Sequence, residues 1–103
     1  MTMNIAASEE RARDAVVTLH RVLSNVSDSA ADYHTAKRAS SLLVPFLDAP
    51  MDQTYCASLC GTLSKGIGDC AWSDSLWAQL QPLIEDASTK VIQHVDAGTS
   101  YEA

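Results

Sequence analysis

The sequence predicts an all-α fold, a compact bundle of four to five short antiparallel helices. Apolar residues recur at three- and four-residue spacing through four separate segments. Four glycines and three prolines are too few for the many turns of a small β-sandwich. No alternating β-branched run and no Asn-Gly or Asp-Gly hairpin signal interrupts the helical pattern.

Ser8 reads as the cap of the first helix, with Glu9 and Glu10 in a first turn whose dipole favours acids. Ala12, Ala15, Val16, Leu19, Val22, Leu23 and Val26 then form one apolar stripe. Ser27 or Asp28 reads as the cap of the second helix, with the weaker stripe Ala36, Ala39, Leu42, Leu43 and Phe46. Its alanines, including Ala30 and Ala31, point to a close helix neighbour. Pro45 stops or kinks this helix near Leu43, because it lacks an N–H and clashes one turn back.

Pro50 fits the first turn of a third helix, with Met51, Tyr55, Cys56, Leu59, Cys60, Leu63 and Ile67 on one face. Gly66 and Gly68 read as its left-handed stop. Ser73 caps a fourth segment, whose stripe of Leu76, Trp77, Leu80, Leu83, Ile84, Ala87, Val91 and Val95 stays in phase through Pro82. That phase predicts either one helix kinked at Pro82 or two that nearly share an axis. Gly98 closes it. The expected organisation is a flexible lead over 1–7, one helical domain over 8–97 and a flexible tail over 98–103.

The net charge of −6 is unevenly placed. Residues 1–65 hold seven acids against six bases, whereas 66–103 hold six acids against Lys90 alone. Such a surface repels nucleic acid and anionic membranes, and steers a basic partner toward the C-terminal third. The longest apolar run, residues 42–47, contains a proline and is far short of the roughly 20 residues of a spanning helix. The N-terminal stretch lacks the basic start and apolar centre of a signal peptide, and three cysteines fit no disulfide framework. A cytoplasmic setting is therefore expected.

Cys56, Cys60 and Cys70 fall in a helical stripe and its exit, with spacings that match no zinc motif. They read as core residues, and no metal is expected. The glycine pair at 66 and 68 follows a helix rather than a strand, and no phosphate-loop or dinucleotide fingerprint is present, so no cofactor is expected. His34, Lys37, Arg38 and Ser41 read as a solvated helix face. Asp14, His20 and Ser24 lie along one helix and do not converge as a triad would, and Glu85 and Asp86 are adjacent rather than paired. No constellation meets the geometric needs of catalysis, so the chain reads as a non-enzyme.

Trp72 sits off any stripe in the acidic link, where it either plugs the end of the bundle or stands exposed as an anchor. With Asp69, Asp74, Glu85 and Asp86 it forms the expected partner-binding set. The functional expectation is a small acidic protein-binding module, an inhibitor or adaptor docking on a basic protein. Compact inhibitors of this type occur among phage anti-defence, anti-CRISPR and toxin-immunity proteins, a likeness of type that no motif carries. A helical DNA-binding regulator is the alternative, opposed by Asp74, Gln79, Gln81 and Glu85 on the helix that would read the groove. A homodimeric scaffold or enzyme accessory subunit is a further one.

Overall fold

A computed structural model describes the chain over residues 5–27 and 29–102, with side chains over 7–27 and 29–97. The described residues fold as an all-α bundle of four helices: α1 (Ile5–Ser24), α2 (Ala30–Leu43), α3 (Gln53–Gly61) and α4 (Asp74–Glu102). A 3-10 turn (Val44–Phe46) follows α2, and a π-helical turn (Thr62–Ile67) continues α3. α1 packs most extensively on α4 and then on α2, while α3 packs on α4. Ser8 of α1 meets His94 near the end of α4, and Val22 lies beside Leu76 near its start, so these two helices are antiparallel.

The stripes read from the sequence form the core. Val16, Leu19, Leu23, Leu43, Leu59, Leu63, Ile67, Leu80 and Val91 are fully buried. Burying each such side chain contributes about 1.5–3 kcal/mol relative to exposure. Leu42 departs from its stripe and is 42 % exposed. Ala30 and Ala31 are exposed too, so the close approach on α2 is made by Ala36 and Ala39 alone.

Several boundaries differ from the sequence reading. Ser8 is no cap: α1 is already helical over residues 5–7, and Ser8 is buried one turn inside it. Residues 1–4 lie outside the described residues. The cap of α2 is Ser29, whose Oγ accepts from the Asp32 N–H at 3.1 Å. Of the two caps expected there, Ser27 precedes the helix and Asp28 lies outside the described residues. α3 is capped by Asp52, whose carboxylate accepts from the Tyr55 N–H at 2.8 Å, so Pro50 lies in the approach rather than the first turn.

Gly66 and Gly68 are not left-handed, since no described residue has a positive φ. Their glycine character answers to space. A Cβ on Gly66 would meet Leu42 Cδ1 of α2 at 3.1 Å, and one on Gly68 would lie 2.7 Å from the Ser64 carbonyl oxygen. The helical coil does end at Gly68, but by widening rather than by a left-handed turn, with the Gly68 N–H donating to Leu63 O five residues back at 2.9 Å.

α4 is one helix of 29 residues, longer than the short helices expected. Pro82 is inside it. Leu76, Leu80, Ile84 and Ala87 are buried on both sides of the proline, and this shared packing holds one phase through it. Pro82 itself is exposed, so the carbonyl that loses its partner one turn back is open to water. Gly98 does not close the helix, which continues to Glu102; the tail side chains, Tyr101 among them, lie outside the described residues.

Candidate docking face

Two polar devices fix the elements that carry the acidic surface. The first joins the starts of α2 and α4. Asp32 is 4 % exposed, and its carboxylate accepts from the Ser73 N–H at 3.1 Å and the Ser73 hydroxyl at 2.5 Å. Those hydrogen bonds hold its pKa below the ordinary aspartate value. Ser73 Oγ in turn accepts from the Leu76 N–H at 3.4 Å, capping α4.

The second device is a clamp on the corner between α2 and α3. Arg13 of α1 donates to Phe46 O at 3.0 Å, to Ala49 O at 2.5 Å and to the Tyr55 hydroxyl at 3.3 Å. The Tyr55 hydroxyl donates to Phe46 O as well, and its ring packs edge-on against Phe46. Burial raises the Tyr55 pKa, with the Arg13 charge opposing. Glu9 completes the set, accepting from Arg13 and from the Met51 N–H. A proline-flanked corner is thus ordered by side chains from a neighbouring helix.

With these parts in place, α4 presents a continuous outer face. Asp74 and Glu85 are 11 residues apart and Asp74 and Ile92 are 18 apart. At 100° and 1.5 Å per residue, all three share one stripe, with Glu85 about 16 Å and Ile92 about 27 Å from Asp74. Asp74, Glu85 and Asp96 are exposed, as is Asp69 in the preceding loop. Asp86 is turned about 100° from Glu85 and pairs with Lys90 at 3.1 Å. The structure therefore gathers Asp69, Trp72 and Asp74 at one end of α4 and places Glu85 on the same face. It sets Asp86 apart on the flank.

Trp72 is half-buried against the core, and its indole N–H donates to Ile67 O at 2.8 Å, closing the end of the π-helical turn. Between the two readings of Trp72, the geometry matches the plug. Gly68, Cys70, Ala71, Trp72, Asp74 and Trp77 line a depression of about 230 Å³, so indole edges remain accessible beside an exposed carboxylate.

A second depression, of about 210 Å³, lies at the other end of the seam between α3 and α4. Gln53, Cys56, Ala57, Cys60, Ile92 and Val95 line it. Ile92 is 52 % exposed. The sequence reading missed this groove. Its available signal was Ile92 itself, an apolar residue one step off the Val91–Val95 stripe.

The remaining chemistry-bearing residues do not form a site. Among the described residues no three histidine, cysteine or acidic side chains gather as a metal ligand set. Cys56 is buried, and burial raises the thiol pKa of both Cys56 and Cys60, which keeps them protonated at neutral pH. Ser24 Oγ donates to the His20 carbonyl rather than to its ring. Ser8 and His94 meet, but Ser8 is only 3 % exposed and closed to a substrate. No described helix is long and apolar enough to cross a membrane. Comparison with protein-family models gives no match, and no curated protein or solved structure is significantly similar to the chain.

Proposed function

We propose that the protein is a small acidic, non-catalytic binding module, an inhibitor or adaptor, whose α4 face and preceding loop dock on a basic surface of a partner protein. One observation carries this reading. Asp74, Glu85 and Asp96 are exposed along one stripe of α4, Asp69 is exposed in the loop before it, and the one base among residues 66–103, Lys90, is engaged by Asp86. Four carboxylates without counter-charge accelerate encounter with a basic surface and repel an acidic one. The half-buried Trp72 and Trp77 beside Asp74 supply the aromatic contact area that binding energy concentrates on. A basic nucleic-acid-binding groove on a protein is one surface of the required sign, so a competitive inhibitor of a nucleic-acid-handling protein falls within the proposal.

The test is affinity capture with the wild-type chain and with an Asp69→Lys/Asp74→Lys/Glu85→Lys variant, partners being identified by mass spectrometry. These positions are exposed, so circular dichroism of the variant should match wild type. A specific partner that is lost in the variant, and released from wild type by salt, supports the proposal. Equal capture by both proteins removes it. Trp72→Ala is a poor probe here, because it also removes the indole bond to Ile67.

A further inference from the structure

We infer that the groove between α3 and α4 receives the apolar side chains of an amphipathic helix whose flanking residues are Lys and Arg. This rests on the proposed docking function and assigns it a second contact point, remote from Trp72.

The groove is apolar where it is deep and acidic where it ends. Cys56, Ala57, Cys60, Ile92 and Val95 supply its wall. Asp52, next to Gln53 at one lip, and Asp96, next to Val95 at the other, are both exposed. Glu85 lies on the Ile92 stripe two turns away, about 10 Å along α4. Lys90 faces about 160° away from Ile92 and is held by Asp86. The charged residues next to the lining are therefore acids, and Arg13, whose charge reaches Cys56, is engaged by Glu9. This negative sign excludes an acidic peptide and an anionic lipid surface, and selects cations flanking an apolar stripe.

The shape selects a helix. Two packed helices leave a furrow between them, and an amphipathic helix seats its i, i+3, i+4 and i+7 side chains in such a furrow. The Trp72 depression lies at the other end of the same seam, because Asp74 and Ile92 share one stripe 18 residues apart. That spacing is about 27 Å, the length of an 18-residue helix. A basic helix laid along α4 would meet the apolar groove at one end, the indoles of Trp72 and Trp77 beside Asp74 at the other, and Glu85 between them.

The experiment uses the full chain and two synthetic 18-residue helical peptides of equal lysine content, one with leucine and one with alanine on the apolar face. Affinity is measured calorimetrically. Maleimide labelling of Cys60, resolved by mass spectrometry, reports occupation of the groove. The Leu/Lys peptide is expected to bind about tenfold or more tighter than the Ala/Lys peptide, as burial of leucine-sized groups requires. It should slow Cys60 labelling severalfold, and Ile92→Ser, a change at an exposed position, should erase the leucine preference. If both peptides bind equally and neither shields Cys60, the acidic face acts alone: the groove assignment falls and the docking function stands. If neither peptide binds, the docking function falls with it. If Cys60 is shielded without peptide and the chain sediments as a dimer, a second copy covers the groove and the inference is overturned.

Discussion

Ser8 Oγ lies 2.7 Å from His94 Nδ1, a contact between residues 86 positions apart that joins the start of α1 to the far end of α4. The other ring nitrogen, Nε2, lies 3.2 Å from Met51 O, just before α3. A carbonyl only accepts, so Nε2 carries a proton; in the neutral ring Nδ1 then accepts from the Ser8 hydroxyl. Among the described residues every buried side-chain nitrogen and oxygen has such a partner. One histidine thus bonds three segments of the chain at once.

Replacing it exposes that role. His94→Ala leaves a cavity and takes one partner each from the Met51 carbonyl and the Ser8 hydroxyl, and should cost about 3 kcal/mol. Ser8→Ala removes one partner and should cost about 1–2 kcal/mol. Urea unfolding of both single variants and the double variant should show a deficit smaller than the sum, since each loses the same bond. A His94→Ala protein within about 0.5 kcal/mol of wild type, the range of ordinary surface changes, would contradict the assignment.

The Asp32–Ser73 clasp makes stability depend on pH in the acid range. The Asp32 pKa is lowered in the folded chain, chiefly by the Ser73 hydroxyl and N–H. Its stabilisation is therefore complete above the unfolded value of about 3.9, and is lost as pH falls through the lower folded value. Asp32→Asn should be less stable than wild type at neutral pH. The gap between their urea midpoints should close as the pH is taken below 4. A constant gap at all pH values would show that the carboxylate charge is not what matters.

Arg13 should behave as a structural residue. Arg13→Met keeps the aliphatic stem but leaves the Ala49 carbonyl without its donor and the Phe46 carbonyl with the Tyr55 hydroxyl alone, at a cost on the order of 2 kcal/mol. Arg13→Lys should recover only part of it, because one ammonium cannot match the guanidinium fork. Amide exchange should report the loss locally, through faster exchange over residues 46–52. Unchanged protection there would refute the clamp.

The glycines should separate by position. Gly61 is helical, and a Cβ there meets nothing within 4 Å. Gly61→Ala should therefore stabilise by about 0.5–1 kcal/mol. Gly68→Ala forces a Cβ against the Ser64 and Leu63 carbonyl oxygens, which are backbone and cannot rotate away. It should destabilise by more than about 1 kcal/mol, a typical cost of overpacking. Thermal melts of the pair should move in opposite directions.

The parts of the fold that were legible in the sequence are those set by periodicity. Leu19, Leu59 and Leu80 lie where their spacing places them, because burial acts on every turn of a stripe. Caps were less legible. Ser8 and Ser29 have the same side chain, and only tertiary contact made one a buried partner of His94 and the other a cap. Of the candidate site, Asp74 and Glu85 can be placed on one face by counting along the helix, as their exposure follows from charge, whereas Asp69 lies in the preceding loop, where counting does not apply. The groove could not: Ile92 marks an apolar position off the stripe, but the groove depends on where α3 lies against α4, and no local pattern encodes that. The Arg13 clamp has no signature for the same reason: its acceptors are backbone carbonyls, which every sequence possesses.

The π-helical stretch at Thr62–Ile67 ties the two ends of the seam to a residue count rather than to residue identities. Its widened coil holds more residues per turn than an ordinary helix. Deleting one residue there would rotate α3 by about 100° against the Trp72 loop and α4. Ala57 and Cys60 would swing away from Ile92 even with every side chain of the groove unchanged. Homologues that keep this groove should therefore share the length of this segment even where its letters differ.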